Sequence, residues 1–281
     1  MFRIGIIQCD TKIDLKGLPQ NDPSLIDAIK KELLIEPDIS KPYNLANDLT
    51  LSKAQFGQDD AVFELFKGKQ NGFFIEAGAY DGETYSNSLK FELKLNWTGV
   101  LVEPNPDNFE SLLTKNRRAY AIETCLSPKS EVTEVSFDAA GITGGIINGK
   151  FKPGDEAQKA FARLKRDNKN FKPKFPYERR TIEMQCLPLT SIIEAVGNPT
   201  IDYLSLDIEG VEIQVLRSLP FENLDIKVIS IETNHIRTTY DGRFTNLDFL
   251  LRRNGYTRYK SVGVDEIYVK NEFMNAIKDE L

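Results

Sequence analysis

Residues 72–86 (GFFIEAGAYDGETYS) constrain the fold of this chain more than any other stretch. The apolar run at 73–75 predicts a β-strand, Gly78 and Gly82 predict a turn, and a helical pattern begins near Ser86. Glycine has no Cβ, so it accepts a positive φ and lets a ligand approach the main chain closely. The order of strand, glycine turn and helix therefore predicts a nucleotide-binding edge of an α/β sheet.

Two acidic residues, Glu76 and Asp81, flank this turn, and its glycines do not follow the G-x-G-x-x-G spacing that binds a pyrophosphate. Carboxylates repel a pyrophosphate, but they suit a ligand that carries an ammonium group and a sulfonium. The turn therefore favours S-adenosylmethionine over NAD. The alternative is an ordinary strand-to-helix turn whose acids are solvated.

Beyond the turn, strand patterns alternate with helix patterns, as expected of an α/β fold. After a first strand at 73–77, strands are predicted at 98–102, 119–125, 131–138, 181–186, 201–207 and 226–232, with a closing pair at 256–260 and 265–269. The intervening helices are predicted at 86–94, 107–115, 190–196, 211–219 and 247–254. Ligands of such sheets bind at the carboxyl ends of the strands, which is where Asp207, Glu232 and His235 fall.

Glu103 follows the second predicted strand and lies 21 residues beyond Gly82. An acid at about this distance hydrogen-bonds the ribose in dinucleotide-binding folds. Pro104 and Pro106 constrain the turn that follows it. Glu103 is therefore the predicted ribose ligand, in preference to a strand-end acid that faces water.

A chain of 281 residues suits one large domain or slightly more. Residues 1–50 are predicted to form an accessory arm with one amphipathic helix at 24–34, for which Ser24 is the expected N-cap. Residues 51–281 form the main domain, which begins with a helix at 52–66.

The alternation of strands and helices is interrupted at about 141–180, which is predicted to be an insertion. Residues 150–180 contain eleven Lys or Arg and four Asp or Glu, although the whole chain has a net charge of −6. Runs of charge usually form a solvated surface. The alternative is a basic lid over the substrate, which would indicate an anionic acceptor.

Composition limits the classes of protein and the cellular locations that remain possible. The net negative charge argues against nonspecific binding of nucleic acid, and Cys9, Cys125 and Cys186 lack the spacing of a zinc ribbon or a disulfide-rich scaffold. The sequence has no run of 18 apolar residues, and the apolar part of residues 1–10 is too short for a signal peptide. A cytosolic location is therefore expected. Residues 278–281 (KDEL) match an endoplasmic-reticulum retention signal, and we interpret this match as accidental unless an upstream targeting sequence has been lost.

Several motifs together resemble the FkbM-type family of S-adenosylmethionine-dependent methyltransferases, and within it the eukaryotic branch that includes Star-like proteins. The matching segments are 55–59 (QFGQD), 72–82 (GFFIEAGAYDG), 86–87 (SN), 96–106 (NWTGVLVEPNP), 116–117 (NR), 125–127 (CLS) and 202–212 (DYLSLDIEGVE). They occur in the right order and extend over roughly residues 52–235. The resemblance implies a Rossmann-like class I methyltransferase fold.

The resemblance also implies a set of residues that bind S-adenosylmethionine. Glu76, Gly78 and Asp81 are expected near the methionine end of the cofactor, Glu103 at the ribose, the region around Leu126 at the adenine, and Asp207 between cofactor and substrate. The complete set of expected cofactor residues is Gln58, Glu76, Gly78, Asp81, Glu103, Pro104, Leu126 and Asp207. The family likeness further suggests that Cys125 and Cys186 approach each other, although a cytosolic location would keep them reduced.

For catalysis, an acceptor hydroxyl must be held in line with the methyl group and must lose its proton. His235, the only histidine, is the candidate base, and Asp207 is the alternative base or the partner that orients the histidine. Asp207, Glu209 and Glu212 could instead hold a divalent cation. No metal site is expected, however, because acids in the first turn of a helix simply favour its dipole.

Two classes of function follow from these observations. The first is O-methylation of a hydroxyl on a sugar, a glycan or another small hydroxylated metabolite. The second is a noncatalytic trafficking or interaction protein that keeps the methyltransferase fold, as the Star-like resemblance suggests. The presence of the expected cofactor residues favours the enzyme.

Overall fold

The structure is a computed structural model that describes residues 13–46, 54–147, 155, 179–233 and 244–279. The strands are β1 (Phe73–Ala77), β2 (Thr98–Val102), β3 (Tyr120–Ile122), β4 (Cys125–Leu126), β5 (Thr133–Ala139), β6 (Gly145–Ile146), β7 (Arg180–Leu187), β8 (Ile201–Leu206), β9 (Ile226–Glu232), β10 (Tyr256–Val262) and β11 (Asp265–Lys270). The α-helices are α1 (Pro23–Ala28), α2 (Gln58–Leu65), α3 (Leu89–Leu95), α4 (Pro106–Leu113), α5 (Leu189–Ala195), α6 (Glu212–Ser218), α7 (Phe244–Arg253) and α8 (Asn271–Asp279).

A seven-stranded sheet in the order β10-β11-β9-β8-β1-β2-β3 forms the centre of the fold. Its strands pair in parallel from β3 to β9, whereas β11 runs antiparallel to both β9 and β10. The predicted Rossmann-like sheet, mostly parallel with a C-terminal antiparallel strand, is confirmed. Since β1 lies between β2 and β8, the strand order reverses beside it. Ligands of open α/β sheets bind in the crevice at such a reversal.

The core lies on both faces of this sheet. β8 is buried over its whole length, as is typical of a parallel strand covered on two sides. Ile75 and Leu204 face one apolar layer, and Phe74 and Tyr203, which alternate with them along the same strands, face the other. The sheet is therefore a rigid support for the residues that follow its strands.

A second sheet, in the order β4-β7-β5-β6, lies beside the first. Cys125 in β4 is opposite Cys186 in β7, and the two form a disulfide with their Cα atoms 4.4 Å apart. The expected approach of these cysteines is confirmed, whereas the reduced state that followed from a cytosolic location is not what the structure has. Cys9 lies outside the described residues.

The N-terminal helix differs from its prediction. Instead of one helix over 24–34, a short α1 is followed by a π-helical turn, Ile29–Leu33. The N-cap is Asp22 rather than Ser24, because the Asp22 carboxylate accepts a hydrogen bond from Ser24 N at 2.8 Å and Pro23 occupies the first helical position. Leu25 and Ile29 are fully buried in the core, so the arm packs against the main domain.

Two other boundaries differ for reasons that concern the site. The strand predicted at 119–125 is two strands, because β4 leaves the central sheet to pair with β7. The helix predicted from Ser86 begins at Leu89. The preceding residues wrap around the Glu76 carboxylate, as described below.

Several predictions fall on residues that the structure does not describe. These are His235, most of the basic stretch at 150–180, and the last two residues of the retention-like tetrapeptide. Among the described residues, no helix combines the length and the apolar character that crossing a bilayer requires.

Candidate active site

Two adjoining cavities open at the carboxyl ends of β1 and β8, where the strand order reverses. The first cavity has about 590 Å³ of empty space and the second about 810 Å³, both including space open to solvent. Gly78, Tyr80, Ile142, Asp207 and Glu209 line both of them. The two cavities are therefore compartments that meet at one shared wall.

Gly78 makes this wall possible. Its φ is +86°, and a Cβ placed on it would lie 1.9 Å from the main-chain oxygen of Asp207. Asp207 N donates in turn to Ala77 O at 3.1 Å. The ends of β1 and β8 consequently touch through their backbones, and only glycine fits at this position.

Glu103 is buried on the wall of the first cavity. Its carboxylate accepts hydrogen bonds from Tyr80 N at 2.8 Å, Asn105 N at 2.8 Å and Asn108 Nδ2 at 3.2 Å. Burial raises the pKa of Glu103 to about 7 although these donors lower it. A carboxylate has about four acceptor positions, so one remains for a further donor such as a hydroxyl.

The rest of the first cavity is largely apolar. Its lining includes Val102, Pro104, Leu126, Phe137 and Ile146. Asn108 also donates to Gly141 O at 3.0 Å, which ties the 3₁₀ turn at Gly141–Thr143 to the Glu103 side of the cavity. The predicted residues Gly78, Glu103, Pro104, Leu126 and Asp207 are thus brought together around one cavity.

Glu76 lies deeper, and it is not one of the described residues that line the two cavities. It is 2% exposed, and its carboxylate accepts from Ser86 Oγ at 2.9 Å, Asn87 N at 2.7 Å and Ser88 Oγ. Burial raises its pKa, while the charge of Arg117 acts in the opposite direction. Glu76 therefore organises the turn after β1, and a direct contact with a cofactor stays a prediction.

Asp81 and Gln58 hold neighbouring loops in a similar way. The Asp81 carboxylate accepts from Glu83 N at 2.9 Å and from Thr84 N at 2.6 Å. Gln58 Oε1 accepts from Phe56 N at 2.9 Å, and its Nε2 donates to Asp265 Oδ2 at 3.1 Å. Thr84 and Phe56 line the second cavity, whereas Asp81 and Gln58 are not part of the described lining.

Asp207, Glu209 and Glu232, hereafter the strand-end triad, form an acidic cluster on the second cavity. One carboxylate oxygen from each lies within 4.8 Å of the other two. Burial, followed by the charges of neighbouring acids, raises the pKa of Asp207 and of Glu232. A hydrogen bond with Glu232 acts in the opposite direction on the pKa of Asp207, so these two carboxyl groups also contact each other. Perturbed pKa values of this kind cluster at functional sites.

Glu212, which the sequence grouped with Asp207 and Glu209, has a different role. Its carboxylate accepts from Ile208 N at 3.2 Å and Gly210 N at 3.0 Å, so it closes the turn between β8 and α6. Glu232, at the end of the adjacent β9, completes the cluster instead.

The sequence did not assign several residues that line the cavities, among them Tyr80, Asn108, Phe137 and Ile142. Tyr80 lies within the glycine turn itself, and Ile142 lies in a glycine-rich run at the start of the predicted insertion. These local signals could have indicated them. Phe137 comes from the second sheet, and no local pattern connects it to the glycine turn.

Comparison with known proteins identifies the class to which this fold and site belong, the methyltransferases. The methyltransferase FkbM domain matches residues 76–258. Since this match covers more than half of the chain, the chain belongs to the FkbM methyltransferase family.

Two solved structures are similar to the chain at low identity. One is the methyltransferase FkbM from Methylobacillus flagellatus KT, with 13% identity and a TM-score of 0.37, covering 71% of this chain and 43% of that one. The other is precorrin-6y C5,15-methyltransferase from Geobacter metallireducens GS-15, with 11% identity and a TM-score of 0.36, covering 81% of this chain and 95% of that one. The chain thus spans less than half the length of the first of these. No curated protein matches it.

Proposed function

We propose that this protein is an S-adenosylmethionine-dependent O-methyltransferase that acts on a hydroxyl of a sugar, a glycan or another small hydroxylated metabolite. The observation that carries the proposal is the pair of cavities that meet at Gly78 and Asp207, at the strand-order reversal of a methyltransferase-family fold. One cavity suits a nucleoside, and the other leaves room for an acceptor.

The first cavity has the chemistry that an adenosine group requires. Glu103 has acceptor capacity for a ribose hydroxyl, and Pro104 and Leu126 supply apolar surface for an adenine ring. Gly78 packs against the main chain of Asp207 and so forms the part of the wall beside which the methionine end is expected. Glu76, Asp81 and Gln58 support this arrangement by fixing the loops around it.

When bound, S-adenosylmethionine supplies the methyl carbon of its sulfonium, which bonds to the acceptor oxygen as the carbon–sulfur bond breaks, leaving a thioether and one proton. The chain must therefore align the acceptor oxygen and accept that proton. Asp207 lines both cavities, and its raised pKa makes its ionised form a stronger base. His235 stays the alternative base.

The second cavity supports a hydroxylated acceptor. Gln55, Thr84, Tyr85 and Asn87 line it and offer hydrogen-bonding groups, while Phe56 adds apolar surface. An anionic acceptor and a place in the eukaryotic Star-like branch are further parts of the proposal. They rest on the basic stretch at 150–180 and on the sequence motifs respectively.

Calorimetric titration with S-adenosylmethionine tests the cofactor assignment. We expect saturable binding by the wild type and strongly weakened binding by Glu103→Ala, which removes the predicted ribose acceptor. Glu134→Gln is a matched control, because Glu134 is an exposed residue of β5 that pairs with Lys16 and lines neither cavity. A correctly folded wild type that does not bind millimolar cofactor would refute the proposal and favour the noncatalytic interaction protein.

The acceptor class needs a separate experiment. Incubation with cofactor labelled in its methyl group and with panels of glycans, lipids and small alcohols should transfer label to a hydroxylated compound. Asp207→Asn should abolish that transfer. Transfer of label to nitrogen, carbon or sulfur acceptors alone would contradict O-methylation while leaving methyl transfer intact.

A further inference from the structure

The strand-end triad brings together three carboxyl groups, more than removal of one proton from an acceptor would require. One carboxylate oxygen from each member lies within 4.8 Å of the other two, and Asp207 and Glu209 line both cavities. Carboxylates this close together repel one another unless a proton or a bound cation compensates their charge. Carboxyl groups that converge on one cavity in this way are candidate ligands for a cation.

Asn87 provides independent evidence for a ligand in the same cavity. It lines the second cavity together with the triad and is 4% exposed. Its Nδ2 donates to Ser205 Oγ at 2.9 Å, and its main-chain N donates to Glu76 at 2.7 Å, so one hydrogen bond holds the side chain and another holds the backbone. Its Oδ1 is buried and has no hydrogen-bond partner among the described residues. Buried amide oxygens normally have a partner.

We propose that Asp207, Glu209 and Glu232 bind a divalent cation, Mg²⁺ or Mn²⁺, and that the Asn87 amide oxygen faces the same site. Carboxylate and amide oxygens are the ligands that these hard cations prefer. Oxygens on opposite sides of Mg²⁺ are about 4.2 Å apart, since each lies about 2.1 Å from the ion. Adjacent oxygens are only about 3.0 Å apart, and three ligands include at most one opposite pair, so the triad oxygens, now within 4.8 Å of one another, would have to close by up to roughly 2 Å on binding.

This inference replaces the expectation that no metal binds. That expectation rested on placing Glu209 and Glu212 in the first turn of a helix. In the structure α6 begins at Glu212, whose carboxylate closes the turn after β8, and Glu209 precedes the helix. Glu232 was not grouped with these acids, although the sequence placed it at the same sheet edge as Asp207, because no local pattern shows that β8 and β9 are neighbouring strands. The pairing of Leu206 with Ile231 brings them together.

A cation at this position would serve the reaction, and this part of the inference rests on the proposed function. The triad belongs to the second cavity, where the acceptor is expected, and two of its members also line the first. Coordination positions that the protein leaves open could bind two adjacent oxygens of an acceptor. The site therefore points to acceptors with a vicinal diol or a similar chelating pair of oxygens.

Cation binding can be measured without any turnover. The full chain, freed of metal with a chelator and then dialysed, is titrated with Mn²⁺ alone and the free ion is followed by electron paramagnetic resonance. We expect one saturable site, with Mg²⁺ competing for it. Glu232→Gln and Glu209→Gln should each weaken binding by roughly tenfold or more. Circular dichroism confirms that each variant is folded.

Two matched controls isolate the triad. Glu134→Gln removes an exposed acid on β5 and Asp107→Asn an exposed acid on α4, so both should bind Mn²⁺ as the wild type does. Absence of saturable binding by the folded wild type at millimolar Mn²⁺ would overturn the proposal. Binding that survives both triad variants unchanged would also overturn it, because the ion would then lie elsewhere.

The failure of this proposal can be distinguished from failure of the proposed function. If the triad instead holds the ammonium group of S-adenosylmethionine, Mn²⁺ alone will not bind, whereas Glu232→Gln will weaken cofactor binding in calorimetry. If the protein binds the cation but not the cofactor, the metal site stands and the methyltransferase proposal falls.

Discussion

Two acidic groups lie at the same edge of the central sheet: Glu76, which is buried, and the strand-end triad, of which Glu232 is buried. Their surroundings are opposite. Glu76, at β1, accepts hydrogen bonds from Ser86, Asn87 and Ser88. Burial raises its pKa, and the positive charge of Arg117 lowers it. The pKa of Glu232, at β9, is raised by burial and then by the charges of four neighbouring acids. Burial alone therefore does not mark a functional carboxylate. The groups that face it decide whether it stabilises the fold or is held ready for a ligand.

The two groups are also connected. By holding residues 86–88, Glu76 delays the start of α3 until Leu89 and brings Asn87 to the wall of the second cavity. Glu76 thus positions Asn87 on the cavity that the strand-end triad also lines. Substitutions of Glu76 and of Glu232 should therefore change the free energy of unfolding in opposite directions. The following experiments test this contrast.

The largest effect is expected for Glu76→Ala. The change leaves three buried donors and the Arg117 charge without this acceptor, so we expect a loss of about 3–5 kcal/mol in the free energy of unfolding. Urea denaturation measures it, with Glu134→Ala as an exposed control. A loss below about 1 kcal/mol would show that Glu76 does not stabilise the fold in the way its contacts indicate.

The Cys125–Cys186 disulfide provides a stabilising contact without charge, against which the effects of the acids can be compared. It belongs to the same region, since Cys125 lines the first cavity. It is expected to contribute about 2–4 kcal/mol, because it joins residues 61 apart and restricts the unfolded chain. Adding dithiothreitol should destabilise the wild type and leave the Cys125→Ala/Cys186→Ala variant unchanged. Cys9→Ser, which keeps the pair, should respond as the wild type does; equal responses in all three proteins would refute the assignment.

The sequence predicted the parts of the fold and site that depend on local pattern. Buried strands appear as apolar runs, glycine turns interrupt them, and residues such as Gly78 and Asp207 follow a strand end directly, so their placement could be inferred. The position of Glu103 on the first cavity could be inferred for the same reason.

What could not be predicted depends on contacts between distant residues. Glu76 and Glu232 are both acids near strand ends, and only the folded chain shows that one meets Ser86 and Ser88 and the other meets Asp207. The Glu212 carboxylate accepts a hydrogen bond from Gly210 N, and the motif alone does not show this contact. The path of β4 into the second sheet likewise depends on its pairing with β7.

Glu232→Gln should have an effect opposite in sign to Glu76→Ala. The folded-state pKa of Glu232 is raised, so its contribution to stability is present below the unfolded value of about 4.5 and is lost as the pH rises. In the presence of a chelator, we therefore expect the variant to be about 1–2 kcal/mol more stable than the wild type at pH 8. At pH 4.5 the two should be nearly equal. Thermal unfolding across this range measures the difference, and a less stable variant at pH 8 would contradict the contrast.

Glu103 is intermediate between the two groups, because donors surround it and yet burial raises its pKa to about 7. For stability, the raised pKa means that its contribution is present below about 4.5 and is lost as the pH rises through about 7. For the proposed binding of a ribose, the ionised acceptor is needed, so affinity should change in the opposite direction. At pH 6 only about one tenth of Glu103 is ionised, which predicts roughly tenfold weaker binding of S-adenosylmethionine than at pH 8. Calorimetry at both pH values should show this decrease in the wild type and a flatter profile in Glu103→Gln; the same pH dependence in both proteins would mean that another group titrates.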